Sequence, residues 1–72
     1  MRQFMFSVFD TCAKVYDRPF VSLSEDAAIR SFGDIAHDAE HPIGKHPEHY
    51  ILFRIGTFDN NTCEIAAEPP VA

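Results

Sequence analysis

The chain has no tryptophan, two cysteines, three glycines and six basic residues among 72, and no apolar run of membrane-spanning length. Each shortage excludes something. Cys12 and Cys63 are too few for the disulfide framework that props up small secreted domains. The opening MRQFMFSVFD has one basic residue and is cut off by Asp10, which is too short for a secretory signal. Both thiols are therefore expected to stay free in a reducing cytoplasm, and no membrane partner is expected, since a helical span needs roughly 20 apolar residues. Six basic residues against eleven acidic ones leave a formal net charge of −5. Arg2, Lys14, Arg18, Arg30, Lys45 and Arg54 lie singly along the chain, so no basic stripe offers binding by counterion release. A Gly-rich phosphate loop, a nucleophile elbow and a paired-carboxylate motif are all missing. The expectation is a non-enzyme with no catalytic residues and no cofactor.

What remains is rich in apolar residues: 46 % of the chain, with seven phenylalanines. That composition argues for a packed fold and against disorder. The length suits one domain, of which a chain this short buries only about 60 % of its unfolded surface. We read a single α+β domain over residues 1–66 and a flexible Pro-containing tail over 67–72. From Gln3 to Asp10, Phe4, Phe6 and Val8 alternate with Met5, Ser7 and Phe9, so both faces are apolar and the strand is central. Val15–Ser22 contains Pro19, which suits an edge strand or an extended connector. Ser24 is a good N-cap, with Glu25 and Asp26 in the first turn and Ala28, Ile29, Phe32, Ile35 and Ala36 forming one apolar helical stripe. Gly33 inside that helix either permits close approach to the sheet or is merely tolerated. Residues 37–49, broken by Pro42, Gly44 and Pro47, read as a loop. Tyr50–Phe58 is the second strong strand: Tyr50, Leu52, Arg54, Gly56 and Phe58 alternate with Ile51, Phe53, Ile55 and Thr57. Asp59-Asn60-Asn61-Thr62 is a hairpin turn whose Asn residues tolerate positive φ, and Cys63–Ala66 returns antiparallel.

The predicted order is β-(β)-α-β-β: a small antiparallel or mixed sheet of three to four strands with one helix packed on one face. A strand–helix–strand crossover would leave the two strong strands parallel. One helix covers one sheet face, so the other keeps its aromatic and aliphatic side chains exposed. Such patches mark interfaces, and a homo-oligomer through that face or an edge strand is expected. Arg18, Phe20, Tyr50 and Arg54 are the candidate interface or nucleic-acid residues: the first two flank a Pro-stiffened segment and the last two share a strand face. A sheet bearing Phe4, Phe6, Tyr50 and Phe53 with Arg18 and Arg54 nearby could also stack single-stranded bases, although alternation points Phe53 opposite to Tyr50 and Arg54, so they do not all form one platform. His37, His41, His46 and His49 match no compact zinc motif; they are read as surface histidines, no metal site is expected, and a chelator should leave the melting temperature unchanged.

Three segments carry a family likeness: MRQFMFSVFDTCAKVYDRPF, AAIRSFGD and KHPEHYILFRIGTFDNNT. In combination, F-S-V-F-D-T, Y-D-R-P-F, A-I-R-x-F-G-D, H-P-E-x-Y and G-T-F-D-x-x-T make residues 1 to 65 resemble the small nonstructural protein of gokushoviruses, tailless Microviridae bacteriophages with circular single-stranded DNA. His37, His41 and His49 lie outside that pattern, and Cys12 stands where Lys is common. The resemblance implies a nonstructural protein of the host bacterial cytoplasm, DNA-binding or acting in the switch from duplex replication to single-stranded genome synthesis. It brings no catalytic residues. Its acidic charge favours contacts with a viral or host replication protein, with direct single-stranded DNA binding by an oligomer as the alternative.

Overall fold

The computed structural model describes residues 1–72. Its elements run β1 (Arg2–Asp10), β2 (Val15–Tyr16), β3 (Phe20–Ser22), α1 (Glu25–Ala36), a single helical turn α2 (Pro42–Lys45), a 3₁₀ turn (Pro47–His49), β4 (Tyr50–Asp59) and β5 (Ile65–Val71). The fold is α+β, with one five-stranded sheet in which β2 and β3 share the outer edge of β1, followed by β4 and β5. β1 is indeed internal. Its outer neighbour is one extended segment interrupted at Asp17-Arg18-Pro19, where Pro has no N–H to offer a ladder.

Every pairing is antiparallel, including β1 with β4, where a parallel pair was expected. The reason lies in β3. The chain has already reversed along β1 before it enters α1, so the crossover joins β3 to β4, which run parallel to each other on either side of β1. The segment expected to be a tail is the second correction: Glu68-Pro69-Pro70 continues β5 as far as Val71, opposite Arg54. An outermost strand presents one row of backbone groups to solvent, so it accommodates prolines that a central strand would not.

A register shift alters the faces of β4. Met5 lies opposite Gly56 and Phe6 opposite Arg54, which leaves Ile55 as an extra residue. A one-residue bulge inverts the alternation beyond it. Gly56 and Phe58 therefore join Phe53 and Ile51 on one face, while Arg54, Leu52 and Tyr50 stay with Phe6 and Val8 on the other. Gly56 is buried, and a Cβ there would collide with the Ala66 carbonyl oxygen, so only glycine lets β5 come this close. Gly33 plays no such part, since a Cβ there would meet nothing within 4 Å.

α1 begins as read: the Ser24 side chain accepts from the Ala27 N–H at 3.1 Å. It lies over the Phe6–Leu52 face, with Ala28 fully buried and Phe32 half-buried. Ile29 remains 59 % exposed, so the apolar stripe is only partly used. α2 lies on the same side and buries Ile43. The buried set is Phe6, Val8, Ala28 and Ile43 with Ser7 and Gly56, a core only one side chain deep. Ser7 donates to the Asp17 carbonyl at 2.6 Å and so satisfies its buried hydroxyl.

The two tight turns share one design. Asp10 Oδ1 accepts from the N–H groups of Cys12 and Ala13, and Asp59 Oδ1 from those of Asn61 and Thr62. Four residues after each Asp, Lys14 and Cys63 take φ values of 59° and 64°. The left-handed residue of the second turn is thus Cys63 rather than either Asn.

Candidate functional site

The face away from α1 carries Met5, Ser7 and Phe9 of β1, Val21 of β3 and Ile51, Phe53 and Phe58 of β4, as the pairing register places them. Tyr16 lies opposite Phe9, and the two rings tilt together with centroids 4.7 Å apart. Phe53 meets Phe9 edge-on at 6.2 Å and Tyr16 edge-on at 5.7 Å. Edge-to-face pairs of this kind contribute about 0.5–1.5 kcal/mol beyond their area. Around this cluster Val21 is 44 %, Ile51 39 % and Ile65 65 % exposed, and Tyr16 itself 47 %. The result is an apolar face on which Met5, Phe9, Phe53 and Phe58 are half-buried and Tyr16, Val21, Ile51 and Ile65 are exposed, while Ser7 is buried and shares a recess with Pro19, Ile55 and Pro70.

The opposite face is organised by Arg54. Its guanidinium sits 5.8 Å above the Phe4 ring and pairs with Glu25 in the first turn of α1. Its Nε also faces Glu68 Oε1 at 3.4 Å, although both atoms are buried without a well-aligned hydrogen bond. The side chain thereby clasps α1 and β5 onto β4, beside a groove lined by Phe6, Ile29, Leu52 and Val71.

The four residues singled out from sequence therefore land in different places. Phe20 stacks on Phe6 at 5.9 Å and is half-buried. Arg54 is taken up by its two carboxylates. Tyr50 is half-buried and lines a groove with Val8, Asp10 and Ile43. Arg18 is exposed and makes no ion pair. Tyr50 and Arg54 do share a face, but it is the one under the helix. Phe9 and Tyr16, which the sequence reading passed over, form the open cluster with Phe53. The signal that finds them is the register Phe9 opposite Tyr16, which follows once Asp10–Lys14 is read as a tight turn.

Elsewhere, His46, Glu48 and His49 group their ligand atoms within 4.8 Å, while His37 Nδ1 lies 2.7 Å from the Gly33 carbonyl and His41 Nδ1 accepts from Ile43 N–H. Asp59 has its carboxyl held below the usual carboxylate range, chiefly by the Asn61 N–H, against partial desolvation and with help from the Met1 ammonium and the Thr62 N–H. Cys12 and Cys63 are free and exposed. No helix is long and apolar enough to cross a membrane.

These features define a small acidic α+β protein whose sheet is helix-covered on one face and aromatic and open on the other. The chain belongs to the Phage ORF5 protein family, whose family model matches residues 3–72, and it is thus a bacteriophage protein. No curated protein and no solved structure matches it.

Proposed function

We propose that the chain is a nonstructural protein of a single-stranded DNA bacteriophage, of the gokushovirus type. In this reading it acts in viral genome replication in the host cytoplasm, at the switch to single-stranded DNA synthesis, as a homo-oligomer that docks on viral or host replication proteins. The phage origin rests on the family, and the replication role on the gokushovirus resemblance. The docking mode rests on one observation, the open aromatic face of an acidic chain.

Its size supports the reading. A compact 8.1 kDa protein exposes about 4,500 Å², whereas this chain exposes 5097 Å². The surplus of about 600 Å² approaches the ~800 Å² that each partner buries in an ordinary interface. The radius of gyration, 12.6 Å, likewise exceeds the ~11 Å of a compact chain of this length. Clustered aromatic rings are also what interaction hot spots are enriched in.

A second reading, direct single-stranded DNA binding, is favoured by the same three rings, because Tyr16 lies between Lys14 and Arg18 in the chain. Stacking contributes roughly 1–3 kcal/mol per base and needs no basic groove. A titration of labelled single-stranded DNA at two salt concentrations separates the two. Micromolar binding that weakens steeply with salt and is lost in Tyr16→Ser supports the second reading. Absence of binding at physiological salt, with capture of a replication protein from infected cells, supports the first. Light scattering tests the oligomer: a clean monomer at tens of micromolar overturns that part.

A further inference from the structure

We propose that His46, Glu48 and His49 form a binding site for a divalent transition-metal ion of the zinc type. His46-Pro47-Glu48-His49 is a 3₁₀ turn with its cap, not an open loop. In a 3₁₀ turn, side chains three apart eclipse one another. The two imidazoles accordingly stack, with centroids 5.2 Å apart and planes 18° from parallel. Glu48 Oε1 stands 3.7 Å from His46 Nδ1 and equally 3.7 Å from His49 Nε2. All three ligand atoms lie within 4.8 Å of one another. A tetrahedral ion with bonds of about 2.0–2.1 Å needs its ligand atoms about 3.3 Å apart. Side-chain rotation alone closes that gap, since the three side chains are 66 %, 66 % and 41 % exposed and free to turn.

The backbone beneath them is fixed. Pro47 sets φ at the first position of the turn. The His49 N–H closes onto the His46 carbonyl at 3.0 Å, and the Thr11 N–H and hydroxyl both donate to the His49 carbonyl at 2.9 Å. The turn is thereby pinned to the end of β1 and runs straight into β4. Two imidazoles and a carboxylate are the ligand set of zinc sites that keep one position open. Imidazole donors favour zinc, copper or nickel over magnesium and calcium, which prefer all-oxygen cages. The chain's net charge of −5 adds a field that attracts cations. Sequence motifs miss this site because the ligands fall at i, i+2 and i+3, which matches no compact zinc motif; the turn stacks His46 and His49, and the Glu48 side chain reaches back to both.

The test is a calorimetric titration of the untagged full-length chain with zinc chloride in chelator-free buffer, followed in parallel by imidazole carbon–proton spectra. The expected result is one saturable site per chain that shifts the His46 and His49 ring signals, with no shift from magnesium chloride. His46→Ala and His49→Ala should each weaken binding about tenfold or more, and Glu48→Gln by a smaller factor, as loss of one ligand in a small set does. His37→Ala should leave the affinity unchanged. Amide spectra confirm that each variant folds, which the exposure of these side chains favours. Lack of saturable binding overturns the proposal. So does undiminished affinity in the His46→Ala/His49→Ala double variant, which would place the ion on other histidines or on the thiols.

Discussion

The two faces of the sheet have similar composition and opposite fates. Phe4, Phe6, Val8 and Leu52 face α1 and α2, and there Phe6 and Val8 fall to 3 % and 7 % exposure. Met5, Phe9, Phe53 and Phe58 face the other way, where no helix lies over them and they stay half-buried beside the exposed Tyr16, Val21, Ile51 and Ile65. Apolar content therefore does not decide which face is core; the placement of the twelve-residue α1 and the short α2 does. The covered face holds the monomer together, and the open one is available for a second molecule.

The contrast breaks most visibly at Phe6. Phe6→Ala removes the most buried ring of the covered face and its stack on Phe20, and should cost about 3–4 kcal/mol. A domain this small has little more than that in total, so urea denaturation should find the variant largely unfolded at room temperature. A shift of less than about 1 kcal/mol would mean that the helix-covered face is not the core. Gly56→Ala attacks the join between the faces. Its Cβ would enter the Ala66 backbone, and the expected loss is about 1–3 kcal/mol by overpacking. Gly33→Ala is the control with the opposite sign. It has open space around it and should stabilise the helix by roughly 1 kcal/mol.

Much of this arrangement is legible in the residues. Ser24 caps α1 because its side chain and the two acids after it are what a helix start requires. The apolar residues on both faces of Phe4–Phe9 marked an internal strand, and Pro19 marked an edge. The bulge was not legible. Nothing in Arg54-Ile55-Gly56 distinguishes an extra residue from continued alternation until β5 is seen lying on Gly56, and the switch of Phe58 between faces follows from it. The return strand was expected over Cys63–Ala66, but the extension of β5 to Val71 was missed for a related reason: Pro69 and Pro70 read as a tail unless an outermost strand is already known to need company. The candidate site suffered most, because Phe9, Tyr16 and Phe53 meet only through register, and Arg54 looks free until Glu25 and Glu68 are placed around it.

Acid sharpens the comparison in another way, because it acts on a turn at the sheet's end and not on the apolar patch. The Asp59 carboxyl is held low by the Asn61 N–H, so its ionised form is favoured by folding. The stability it contributes is complete above the ordinary aspartate range and is lost as pH falls through its lowered value. Melting temperatures followed downward through that window should drop less in Asp59→Asn than in the parent chain. An equal drop in both would assign the acid sensitivity to other carboxylates.

The smallest effect on stability should accompany the largest effect on assembly. Val21→Thr and Ile51→Thr together keep β-branched side chains on the open face and exchange methyl groups for hydroxyls at positions 44 % and 39 % exposed in the monomer. The strands should tolerate the change, with unfolding free energy within about 1 kcal/mol of the parent when measured at low concentration. Burying those hydroxyls in a dry interface without partners costs roughly 1–3 kcal/mol each. Sedimentation velocity should therefore show self-association weakened about tenfold or more, since 1.4 kcal/mol corresponds to a factor of ten. If association survives intact while Ile29→Thr on the helix side disrupts it, the docking surface lies in the groove beside Arg54. In that case the assignment of the two faces is reversed.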